Sequence, residues 1–240
     1  MKKAELTTQQ LITIIVLIVS FSVLLFFIFR LNLGGETTNK EICHNSVLLK
    51  SKQSFGGALD CRTNYICISG GDKCEDFSAT DTVKIDMGQG VDYAKNQTIK
   101  AIADEMADCW WMFGEGKVIY AESLSSLNCA ICSVVKFDKQ IQDKVGEISS
   151  DNFYDYLLSK KDESTTYIKY LYSVSEKKNL KFQIENIKTN EKYSIVTGIG
   201  GSISIFGVEI GDATYIQSQI IKSSEITSKL SCSNFDLTKA

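Results

Sequence analysis

The chain has 240 residues, of which 44% are hydrophobic and 23% charged, with a formal net charge of −3; this suffices for one ordinary globular domain plus an added element, or two small domains. Arg30 and Arg62 are the only arginines and the lysines are scattered among acids, so the forked donors that read phosphates and bases are lacking, which excludes nucleic acid as a partner. Proline is absent, a departure that, with the richness in Lys, Ile and Asn, reads as genomic composition bias.

A short N-terminal stretch, residues 1–10, precedes LITIIVLIVSFSVLLFFIF, Leu11 to Phe29, nineteen residues without a charge. At 1.5 Å per residue this run matches a hydrocarbon core of ~30 Å, so a transmembrane helix over 11–31 is expected, with the lipid bilayer as its partner. Lys2 and Lys3 would also suit a cleaved signal peptide, but the apolar block is longer than a signal core and ends at Arg30 rather than at small residues. Charge on the two flanks is balanced, whereas all eight cysteines follow the helix. An even number of cysteines in an exported domain implies disulfides, which sets the expected localisation: N-terminus cytoplasmic, C-terminal domain extracytoplasmic. Setting aside Lys2, Lys3, Arg30 and Glu5 leaves 23 basic against 28 acidic residues, a domain of net charge −5.

After a linker at 32–41, a cysteine-rich domain occupies 42–240. Its first part, to Cys74, reads as turn-rich, with extended pieces at Ser46–Leu49 and Tyr65–Ile68 between Gly56-Gly57 and Gly70-Gly71. A strand follows at Thr82–Met87. Ile99, Ile102, Ala103, Met106, Trp110 and Phe113 recur at spacings of three and four, which predicts a helix from Asp92 to Phe113 closed by Gly114 and Gly116. Cys129–Phe137 reads as a buried strand, and Lys139–Ile148 and Ser150–Lys160 as helices, the second capped by Ser150 or Asp151. Thr165–Val174 suits helix or strand. Period-two patterns at Leu180–Ile187, Tyr193–Thr197, Ser202–Val208 and Thr214–Ile221 predict a closing antiparallel sheet. The expected class is therefore α+β, an N-terminal transmembrane helix followed by a disulfide-stapled domain with an antiparallel C-terminal sheet.

Among chemistry-bearing motifs, Cys129-x-x-Cys132 could be redox-active, metal-binding or structural; no base adjoins it and no second C-x-x-C completes a zinc set. The cystine reading takes Cys43, Cys61, Cys67, Cys74, Cys109, Cys129, Cys132 and Cys232 as bridge candidates, with Cys43 joined to Cys232 and Cys109 to Cys129 or Cys132. His44, the one histidine, reads as a surface or hydrogen-bonding residue, because no catalytic partner accompanies it. Asp104/Asp108 and Glu105/Asp108 share a helix turn, as paired carboxylates of a glycosidase could, and read as a solvated face. Of Trp110-Trp111, one ring is expected in the core and the other at the helix edge. Gly198-x-Gly200-Gly201 reads as a turn, and Asn96-Gln97-Thr98 is a lone glycosylation sequon. No catalytic set, cofactor site or metal site is assigned, and the chain is not read as an enzyme.

Lys3-Ala4-Glu5-Leu6, followed by TTQQ and the apolar run, resembles the cleavage site of archaeal type IV pilin precursors. The phrases FRLNLGGETTNKEICHNSVLLK (Phe29–Lys50), LDCRTNYICISGG (Leu59–Gly71), AIADEMADCWWMFGEGK (Ala101–Lys117) and CAICSVVKFD (Cys129–Asp138) resemble membrane-anchored, cysteine-rich envelope proteins of DPANN-type archaea. That resemblance implies an archaeal cell-envelope protein and brings no catalytic residue; the expected anchor, the cross-links and the lack of a catalytic set point to an interaction or structural role at the cell surface, with cell-surface protein partners. A pilin-like subunit and an envelope thiol oxidoreductase or hydrolase are the alternatives.

Overall fold

The computed structural model describes residues 8–30, 38–52, 58–121, 124, 126–159, 161–172, 185–200 and 214–233. The chain divides into two compact units, Met1–Thr38 and Asn39–Ala240. The spacer at 32–37, the Gly56-Gly57 turn, most of the strand expected over Leu180–Ile187, and that over Ser202–Val208 lie outside the described residues.

The first unit contains helix α1, Thr8–Arg30. The transmembrane helix expected over 11–31 is corrected here: among the described residues no helix is long and apolar enough to cross a membrane. The large apolar side chains described in this helix lie within Ile12–Val23. They are exposed, from 46% at Ile14 to 64% at Leu17. The hydroxyls of Thr13, Ser20 and Ser22 donate to the carbonyls of Gln9, Val16 and Ile18 at 2.9, 2.8 and 2.8 Å, so these polar groups are satisfied within the helix.

The second unit is α+β. Helix α2 (Asn39–Lys52) precedes β1 (Asn64–Ser69), β2 (Asp81–Lys84) and α3 (Val91–Met112). Then come β3 (Asn128–Phe137), α4 (Lys139–Lys144), β4 (Glu147–Ile148), α5 (Ser150–Leu157), α6 (Tyr167–Tyr172), β5 (Ile187–Lys188), β6 (Tyr193–Gly200), β7 (Thr214–Lys222) and α7 (Ile226–Lys229). The main sheet has the order β2-β1-β3-β6-β7. β6 and β7 are antiparallel to their neighbours, whereas β1 runs parallel to both β2 and β3. The antiparallel C-terminal part is thus one half of a mixed sheet, with β3 as the strand common to both halves.

Helix α3 forms because its apolar positions repeat at three and four, and it ends where Gly114 and Gly116 take φ of +75° and +69°. Alanines at 94, 101, 103 and 107 are buried with Ile99, Ile102, Met106 and Trp110; small residues on several faces let neighbours approach closely. Two consecutive residues of β3 reach α3. Cys132 is disulfide-bonded to Cys109, and the Ser133 hydroxyl donates to Glu105 Oε2 at 2.9 Å. Strict alternation would point one of the two away from the helix; a bulge between Ile131 and Ser133, opposite Val196 and Ile195, permits both. On the other side of the sheet a smaller apolar cluster joins Val196, Ile221 and Ile226 with Ile131 and Leu230.

At the far ends of β1 and β3, Asp138 is 1% exposed and ties two elements together. Its Oδ1 caps α4 by accepting from Ile141 N at 2.9 Å, and its Oδ2 accepts from Ser69 Oγ, Gly71 N and Asp72 N at 3.0, 3.2 and 2.9 Å. The helix expected over Lys139–Ile148 stops at Lys144 because Gly146 adopts φ +65° and the chain turns into β4. α5 is capped by Ser149, one residue ahead of the expected cap. Gly198 lies within β6 and not in a turn; a Cβ there would stand 2.8 Å from the Asn128 carbonyl oxygen of the neighbouring strand.

Replacing Ile102, which has no exposed surface, by Ala leaves a cavity under α3 and is expected to cost about 2–5 kcal/mol in urea unfolding. Leu49→Ala, at a side chain 60% exposed, is expected to change the midpoint by less than about 0.5 kcal/mol in the same experiment.

Candidate functional site

The densest polar chemistry lies around the C-terminal half of α3, where α2, α6 and the turn after α3 meet. α2 offers one face, positions 40, 43, 44 and 47, at helical spacing. Lys40 Nζ lies 2.6 Å from Glu105 Oε1 and 2.7 Å from Asp108 Oδ2. The His44 ring stacks on Trp111 with centroids 4.0 Å apart and 13° between planes, and its Nδ1 donates to the Trp111 carbonyl at 2.7 Å. Cys43 is bonded to Cys61, and Val47 is fully buried. The extended piece expected at Ser46–Leu49 is therefore helix: Asn39–Lys52 is tied down by the two Lys40 ion pairs, the Cys43–Cys61 bridge and the His44–Trp111 stack.

Glu105 is 6% exposed. Both its oxygens are partnered, one by Lys40 and one by Ser133, as a buried carboxylate requires. Burial alone would push the Lys40 ammonium down; the charges of Glu105 and Asp108 and the hydrogen bonds to them more than offset this and hold its pKa above the ordinary lysine value. The stabilisation from this raised pKa is present at neutral pH and is lost only as alkaline pH passes the folded-state value.

On the opposite flank, Asp104 pairs with Lys100 at 2.6 Å and accepts from the Tyr167 hydroxyl at 2.5 Å. Burial first, and then Asp104, pushes the Tyr167 phenol up. The acids read as a solvated face are therefore engaged by neighbouring helices: Asp104 faces α6, while Glu105 and Asp108 both face α2. Beyond the helix, Glu115 adopts φ +57° between two glycines. It is held by Lys117 and by the Tyr170 hydroxyl at 2.7 Å, and Lys161 Nζ sits 4.4 Å from the Tyr170 ring centroid. Burial would raise the Glu115 carboxyl, but the hydrogen bonds from Lys117 and Tyr170, with the charges of Lys117 and His44, bring it below the ordinary glutamate range. Of the tryptophans, Trp110 is buried, and the partly exposed Trp111 has one face covered by His44.

The structure places the remaining sequence candidates elsewhere. Cys129 and Cys132 are not joined to each other: the bridges are Cys43–Cys61, Cys67–Cys74, Cys109–Cys132 and Cys129–Cys232, with no free cysteine. The expected Cys43–Cys232 bridge is thus corrected. The buried face of α2 delivers Cys43 to the start of β1, and the C-terminal segment returns to β3, where Ser233 N donates to the Leu127 carbonyl at 2.8 Å. Cys109 takes Cys132 of the two partners considered. Asn96 is exposed in the second turn of α3, whereas the Thr98 hydroxyl of its sequon is buried and donates to the Ala94 carbonyl. Among the described residues no three His, Cys, Asp or Glu side chains are grouped to hold a metal ion. A cleft of about 280 Å³ on the other side of the sheet is floored by Ile187, Tyr193, Ile221 and Leu230. Its lysines are committed, Lys222 to Glu191 at 2.7 Å and Lys229 to Glu185 and Glu225 at 2.8 and 2.9 Å.

Sequence reasoning did not mark Lys40, Ser133, Glu115, Tyr167 or Tyr170. The one available signal was the spacing of three between Tyr167 and Tyr170, which sets two hydroxyls on one helix face. Lys40 and Ser133 join Glu105 across 65 and 28 residues, which no local pattern displays.

Lys40→Ala strips Glu105 of its cation and is expected to cost about 2 kcal/mol or more, since a buried charged group is left half-satisfied; Lys40→Ala with Glu105→Gln recovers part of that loss in a double-mutant cycle of urea midpoints. Glu115 stabilises the fold above the ordinary glutamate range near 4.5, and this contribution falls as pH drops through its lowered value. A series of Tm values between pH 6 and pH 3 therefore declines less steeply in Tyr170→Phe than in the parent chain.

Comparison with protein-family models, curated proteins and solved structures finds no match to the chain.

Proposed function

We propose that the chain is an extracytoplasmic structural or interaction protein of the archaeal envelope, working by contact with other proteins. The observation that carries this reading is the complete pairing of eight cysteines, which suits an oxidising compartment; Cys129 and Cys132 are bonded to different partners and not to each other as a C-x-x-C redox couple would be. The polar seam on α3 supports it too: each carboxylate there is taken up by a lysine, a tyrosine or a serine of the same chain, the arrangement of an internal fastener.

A second reading, a self-associating pilin-like subunit, draws on α1. A helix apolar on all sides is normally covered, and its hydroxyls are satisfied internally, so packing against like helices would strand no polar group.

Thiol counting on denatured protein from native envelopes, without reductant, is expected to give no reactive thiol. Eight thiols per chain would sink the proposal. For the second reading, N-terminal mass spectrometry is expected to show a mature chain beginning after Ala4, and an intact Met1 rules it out.

A further inference from the structure

The bridges converge on one pole of the sheet. β1 and β3 are parallel neighbours with Asn64 opposite Ser133, so Cys61, just ahead of β1, and Cys129 and Cys132, at the start of β3, lie at the same end. The Thr63 hydroxyl spans the two strands there, donating to the Ile131 carbonyl at 2.8 Å. The C-terminal end of α3 reaches this pole through Cys109–Cys132. α2 is fastened beside it through Lys40, Cys43 and His44, and the C-terminal segment returns to it through Cys129–Cys232. Only Cys67–Cys74 belongs to the other end.

Two of these bridges overlap in sequence, since 129 lies inside the span 109–132 and 132 inside the span 129–232. A pull along the chain therefore passes from Cys43 to Cys61 and, on the other side, from Cys232 to Cys129. Between them stand the β1–β3 ladder and its Thr63 bond. β6, β7 and helices α4 to α7 lie inside the span closed by Cys129–Cys232, which covers 103 residues, and receive none of it.

We propose that this domain is a tension-transmitting link, in which force on its two flanking segments crosses at the shared pole of β1 and β3 and bypasses β6, β7 and helices α4 to α7. This rests on the structural reading given above and names the physical task. The kind of partner it fits is a fixed assembly on each flank.

The test is single-molecule stretching of the full oxidised chain by handles at its two ends. The parent chain is expected to unfold at a force at least about twofold above that of Cys129→Ser/Cys232→Ser, which also gains about 350 Å of extension at ~3.5 Å per released residue. Cys109→Ser/Cys132→Ser keeps the Cys129–Cys232 bypass and is expected to retain most of the parent's force. Equal forces for parent and Cys129→Ser/Cys232→Ser, or an equal loss in both variants, would overturn the proposal, the latter because general stability and not the route of force would then be at work. Should the first variant fail to fold, adding a phosphine reductant to the parent molecule held under constant load gives the same reading: abrupt lengthening supports the inference and an unchanged length overturns it. Free thiols in the native chain would defeat the structural reading itself, whereas equal forces in a fully oxidised chain defeat only this inference.

Discussion

The architecture of the second unit depends on how α3 is fixed to β3. One covalent bond, Cys109–Cys132, and one hydrogen bond, Ser133 to Glu105, arise from adjacent strand residues, and they coexist because of the bulge at that point. Glu105 then demands a cation, which Lys40 supplies, and Lys40 in turn fixes the first turn of α2. The order of dependence runs from the bulge to the helix, from the helix to its buried carboxylate, and from there to the segment that leads in from α1. A carboxylate with little exposure is costly unless both oxygens are partnered, so the three residues act as a unit.

The long periodic helix, the buried strand at Cys129–Phe137 and the last two sheet strands were legible in the sequence because each carries its own repeat. α2 was not. Its inward positions 40, 43, 44 and 47 are lysine, cysteine, histidine and valine, a set without an apolar stripe, and it is held by partners 65, 18 and 67 residues away. The parallel pairing of β1 with β3 was equally hidden, since alternation along one strand says nothing about its neighbour's direction. The apolar run at the N-terminus pointed to a membrane span, yet no helix among the described residues has the length and apolarity for one; composition gave the helix and not its surroundings.

The candidate site was half visible. Asp104, Glu105, Asp108, His44 and the tryptophan pair were all marked, but as separate features. The fold gathers them and assigns opposite flanks to acids only four residues apart, one bound to α6 through tyrosine and the other to α2 through lysine. What reads in sequence as a solvated acidic face is a fastening line along which two shorter helices are attached to α3.

The disposition of Cys129 and Cys132 also governs how the chain matures. Cys132 looks toward α3 and takes a partner made earlier in synthesis, whereas Cys129 finds its partner only when residue 232 has arrived. The first three cross-links can therefore close on a nascent chain, while the last waits for nearly the whole polypeptide and, in the loop-entropy description, restricts the unfolded ensemble by roughly 4–5 kcal/mol. Until then Cys129 has no partner of its own, so a chain truncated before residue 232 carries an unpaired thiol three positions from Cys132.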